Sequence, residues 1–108
     1  MARINSLAKR ILRTLPEHQG FWLKRSDHEV ICVPRSLKEL STCLKDSDEM
    51  VVAYHMRGGS SDFVHWIEDA VGDNKLALKI EGLKAKNWLE MKRKIISAID
   101  RRVREISK

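Results

Sequence analysis

Apolar and polar positions alternate along this chain with a helical period almost throughout. Ile4, Leu7, Ala8, Ile11, Leu12 and Leu15 recur at steps of three and four, which predicts a helix over 4–15 with one apolar stripe. Arg3, Lys9, Arg10 and Arg13 occupy the rest of it. Pro16 ends it, because the residue before a proline is pushed out of helical geometry. Residues 20–33 break the period. Phe21-Trp22-Leu23 and Val30-Ile31-Cys32-Val33 are aromatic and β-branched, and the polar stretch 24–29 fits a loop between them, so a short β-hairpin is expected. A lone hairpin is marginal unless a helix covers one face.

Helical spacing resumes after Pro34. Ser36-Leu37-Lys38-Glu39 has the form of a capping box, in which the Ser36 hydroxyl accepts from the Glu39 amide and Glu39 reaches back. Leu37, Leu40, Cys43 and Leu44 supply the apolar face. Asp46-Ser47-Asp48 breaks that helix and can cap the next, expected over 49–56, for which a strand competes because of Val51 and Val52. Arg57-Gly58-Gly59-Ser60 is the clearest loop. Ser60 or Ser61 can cap a helix opening at Asp62, with Phe63, Trp66, Ile67 and Ala70 buried and Gly72 as its stop. A short helix over 74–81 turns Leu76, Ala77 and Ile80 inward. A last one over 87–106 carries the stripe Trp88, Met91, Ile95, Ile99, Val103 and Ile106. The fold class predicted is mainly α, a compact array of about six helices with one short β-hairpin near residues 20–33. Residues 1–108 read as a single domain, a basic N-terminal helix over 1–16 added to a helical core over 20–106.

Composition narrows the function classes. A third of the residues are charged, and no apolar run approaches the roughly 20 residues needed to span a bilayer. Cys32 and Cys43 are too few for a disulfide framework and read as buried small hydrophobes. No secretory signal stands at the N-terminus. That segment is amphipathic, basic and acid-free, the look of a transit peptide, yet a docked basic helix needs the same pattern. A cytoplasmic protein is expected.

From 36 to 103 four features come in order. A Ser-Leu-x-Glu-Leu helix start (Ser36, Leu37, Glu39, Leu40) leads to a Tyr-His pair (Tyr54, His55). Asp-Phe-x-x-Trp-Ile (Asp62, Phe63, Trp66, Ile67) and Gly-Asp-x-x-Leu-Ala (Gly72, Asp73, Leu76, Ala77) follow. This order resembles a family of small prokaryotic domains to which no activity is assigned, and the aromatic lead-in 21–32 fits it as well. The chain departs from the family pattern in a short loop between His55 and Asp62, in Ser61 where Asn is common, and in its added basic helix. The resemblance implies a fold and no chemistry.

Two sets of residues could carry function. The first is His55, Arg57, Ser60 and Asp62, around one glycine-containing loop. An Asp beside a His can orient the ring and raise its pKa, so the pair could bind a small ligand or move a proton. Arg57-Gly58-Gly59-Ser60-Ser61 could cradle a phosphate, but it is neither Gly-x-x-x-x-Gly-Lys-Ser/Thr nor Gly-x-Gly-x-x-Gly. The structural alternative is that Asp62 caps a helix and His55 ties one helix to the next. Nothing places a nucleophile, so no catalytic residue is assigned and the protein is not expected to be an enzyme. His18, His28, His55 and His65 are scattered, and no metal or cofactor is expected.

The second set is basic. Residues 1–15 carry net +4, residues 16–83 net −4, and residues 84–108 nine basic and three acidic residues, within a chain of net +6. Blocks this distinct suggest a polyanion or an acidic protein surface as partner, with nucleic acid the first candidate. Arg10, Arg13, Lys92, Arg93, Arg101, Arg102 and Arg104 are then the expected contacts. The leading reading is a non-catalytic binding module using basic terminal helices. A protein–protein or self-association module and a ligand binder or enzyme at the His55/Asp62 loop are the alternatives.

Overall fold

In a computed structural model, residues 6–107 are described. They form six α-helices and one two-stranded antiparallel sheet, so the fold is mainly α with one short hairpin. In chain order these are α1 (Ser6–Leu12), β1 (Leu23–Ser26), β2 (Glu29–Cys32), α2 (Leu37–Lys45), α3 (Met50–His55), α4 (Asp62–Trp66), α5 (Asn74–Glu81) and α6 (Trp88–Ile106). α4 continues as a π turn over Ile67–Val71, and single 3-10 turns lie at Glu17–Gln19 and Arg57–Gly59. Arg3 and Ile4, expected in the first helix, lie outside the described residues.

α1 stops at Leu12, three residues earlier than the apolar spacing predicts. The Leu15 amide donates to the Arg35 carbonyl at 2.7 Å, and Arg35 Nε donates back to the Leu15 carbonyl at 2.8 Å. Leaving the helix lets Leu15 enter the core beside Ile11, whereas Leu7 stays exposed. The hairpin is also shifted. Its turn is only Asp27-His28, so Lys24, Arg25 and Ser26, expected in a loop, form β1. Leu23 is buried from this sheet. Trp22, Val30, Ile31 and Val33 are exposed, because the hairpin packs on α3 through one edge of its face.

Side-chain caps set the helix starts. Ser36 Oγ accepts from the Glu39 amide at 3.1 Å, but Glu39 Oε1 accepts from the Arg35 amide at 2.9 Å, one residue earlier than a reciprocal box requires. Asp48 accepts from Met50, Ser61 from Val64, Asp73 from Leu76 and Asn87 from Glu90. The segment 50–55, for which a strand competed, is helical. Gly72 ends the α4 helix at φ 85°, a left-handed conformation in which a side chain is strained. Its amide and that of Asp73 both donate to the Ile67 carbonyl.

One buried cluster runs from Ile11 to Ile99. Trp66 joins it and donates its indole N–H to the Gln19 carbonyl at 2.8 Å. Trp88, expected on the buried stripe of the last helix, is 41% exposed, because burial of α6 begins only at Met91. Cys32 and Cys43 are half-buried rather than buried. They pack side by side, and burial, then the neighbouring Cys43, pushes the Cys32 thiol up to about 12, so it stays a neutral thiol.

α6 is tied to α5 by an ion pair. Asp73 is 1% exposed and takes Arg102 Nε at 2.8 Å and Nη2 at 3.1 Å, while also capping α5. Removing one partner of such a pair strands the other charge in the interior. Asp73→Ala should therefore cost about 3–5 kcal/mol in urea unfolding. A loss below about 1 kcal/mol, the range of surface pairs, would contradict this account.

Candidate functional site

α3 delivers His55 at its last residue, and α4 opens with Asp62. Between them Gly58 and Gly59 take φ values of 73° and 79°, which turn the chain sharply enough to bring the two side chains together. His55 Nδ1 lies 2.8 Å from Asp62 Oδ2, and the Lys24 backbone N–H donates to His55 Nε2 at 2.8 Å. With Nε2 accepting, the ring proton sits on Nδ1 and is donated to Asp62. The ring is 4% exposed and stands among Phe21, Tyr54 and Phe63, with centroid distances of 4.7, 4.9 and 5.4 Å. Burial holds its pKa below the ordinary value of 6.5, against the opposing pull of Asp62. A neutral imidazole with both nitrogens engaged has no lone pair for a substrate proton. It serves as a clasp joining β1, α3 and α4.

The other two loop candidates lie apart from this pair. Arg57 folds back over the Tyr54 ring, 3.9 Å from its centroid, and donates to the Tyr54 carbonyl at 3.1 Å. The Tyr54 hydroxyl donates to Asp27 at 2.7 Å, which holds that carboxyl below its usual range. Ser60 borders a separate cleft of about 270 Å³ with Ser61, His65 and Glu81. The residues read as a phosphate cradle thus part company, Arg57 lying over Tyr54 and Ser60 and Ser61 bordering the cleft.

The basic set divides into structural and free cations. Arg13 donates to the carbonyls of Ala70 at 3.0 Å and Val71 at 3.2 Å, and to that of Arg10. The Arg10 guanidinium lies over Gly72, within 3.4 Å of where a Cβ would stand. Lys92 donates to the Ser47 carbonyl at 2.5 Å, and Arg102 is held by Asp73. Arg93, Arg101 and Arg104 remain exposed. The expectation that both basic ends present their cations outward needs this correction: Arg13, just past α1, is spent on the carbonyl end of the helix that closes at Val71, where partial negative charge gathers, whereas Arg10 is exposed beside Gly72.

Beside Arg101 lies a groove of about 680 Å³ between α5 and α6. It is lined by the cations Lys75, Lys79, Lys94, Arg101 and Arg102, by the carboxylate of Glu105, and by the apolar side chains of Leu76, Leu78, Leu83 and Ala98. Lys75 and Lys79 fall in the acidic middle of the sequence, so block charge hid them. Their spacing of four puts them together on one face of α5, and only the packing of the helices sets that face beside α6. Among the described residues no three His, Cys, Asp or Glu side chains gather as a metal site, and no helix is long and apolar enough to cross a membrane. Compared with protein families, curated proteins and solved structures, the chain matches none.

The buried neutral His55 makes stability depend on pH with a defined sign. Its native pKa is below 6.5, so the unfolded chain binds the proton more readily. The stabilisation is complete above 6.5 and declines as the pH falls below 6.5 toward the native value. Urea midpoints measured from neutral to mildly acidic pH should fall over that window, and the His55→Gln variant should lose that fall. An equal fall in both proteins would assign it to other groups.

Proposed function

We propose that this chain is a non-catalytic binding module that meets an anionic partner through α6 and the helix packed beside it. The observation that carries this reading is which cations are left without a partner. Once Arg13, Lys92 and Arg102 are used within the fold, Lys75, Lys79 and Arg101 stand on one groove with no hydrogen bond or ion pair among the described residues. Charges held in one concave patch focus their field and raise the local concentration of an anion. Acid–base chemistry at His55 is disfavoured because both ring nitrogens are engaged. Of the two basic ends, α6 is the contact surface in this reading and α1 its anchor. Charge alone fits a nucleic acid or an acidic protein surface.

Binding of labelled duplex DNA and of polyglutamate, followed by anisotropy against salt, tests the reading. At least one should bind at low salt and weaken as salt rises. The combined variant Lys75→Ala, Lys79→Ala, Arg101→Ala should bind about tenfold or more weakly and lower the salt slope by about two to three, one unit per lost contact. Failure of both polyanions to bind at low salt would overturn it.

A further inference from the structure

The partner class can be narrowed, on the premise that the α5/α6 groove is the binding surface. We infer that the groove seats an acidic amphipathic helix from a partner protein. The α6 wall is made by Lys94, Ser97, Ala98, Arg101, Arg102 and Glu105. These recur at steps of three and four along one face, over about 16 Å at 1.5 Å per residue. A valley three turns long fits a rod-like occupant better than a compact one.

Its chemistry selects among rods. Both walls are helices, whose backbone groups are bonded within themselves, so the groove offers no edge to an extended strand. An occupant must bring its own backbone hydrogen bonds, which a helix does. Its apolar lining includes Leu78, which is 67% exposed and lies between Lys75 and Lys79 along α5. Leucine surface gives phosphate nothing to bond, and among the described residues no aromatic side chain lines the groove for base stacking. A helix with a leucine stripe would cover Leu78 while flanking glutamates meet Lys75, Lys79 and Arg101. A second copy of this chain is a poor match, since it carries net +6 itself.

The probe is a synthetic peptide of about four helical turns with leucines at steps of three and four and glutamates beside them. A shuffled peptide of equal composition breaks the stripe. The striped peptide should bind about tenfold or more tightly than the shuffled one. Leu78→Ser, at an exposed position, should remove most of that preference while leaving the binding of DNA or polyglutamate unchanged. Equal binding of the two peptides, with DNA or polyglutamate still bound, overturns the helix inference and leaves the anionic-partner reading standing. If no anionic probe binds at low salt, both fall.

Discussion

The Asp73–Arg102 pair is the interaction on which the arrangement of the C-terminal half depends. It lies at a junction that the chain must turn sharply to make, and Gly72 makes that turn in the left-handed region. Asp73 then performs two tasks with one carboxylate. It accepts from the Leu76 amide in the first turn of α5, and it holds the guanidinium of α6 in a bidentate fork. A buried ion pair stabilises little in net terms unless its geometry is good and its remaining lone pairs are used. Here both conditions hold. The consequence is geometric: α6 is fixed against α5, and the groove between them keeps a set width.

A second polar contact fixes the opposite end. His55 accepts from β1 and donates to α4 while packed among aromatic rings. It joins α3 and α4, neighbours across a short loop, to β1, 31 residues from His55. The ordered sequence features fall largely on these two contacts: Tyr54 and His55, Asp62 with Phe63 and Trp66, then Gly72 and Asp73. They hold the fold together. The free cations of the groove, Lys75, Lys79 and Arg101, take no part in either contact.

Local signals in the sequence were strong wherever the determining residues are near neighbours. Asp73, Ser61 and Asn87 cap the helices that follow them because a short side chain reaches an amide only two or three residues on. The helix over 74–81 was legible from the spacing of Leu76, Ala77 and Ile80, all of which are buried. The misses have tertiary causes. Leu15 leaves the helix to pair with Arg35, twenty residues away. Trp88 keeps the spacing of the buried stripe but precedes the point where α6 meets the body. In the candidate site, the proximity of His55 and Asp62 was readable from a short glycine loop, whereas the backbone N–H that engages the far side of the ring comes from Lys24.

By itself the sequence determined the helical class, most of the helix starts, the hairpin's existence and the excess of positive charge at both ends. All of these depend on contacts within a few residues or on simple counting. Only the tertiary structure decided which of those charges are available. Arg13 and Arg102 look like Arg93 and Arg101 in the sequence, yet two are bonded into the fold and two are exposed. It also placed Lys75 and Lys79, from an acidic stretch, beside the cations of α6. The physical reason is that a charge is spent or left free by partners distant in sequence. Block charge records how many cations there are, and packing records which of them still face an open groove.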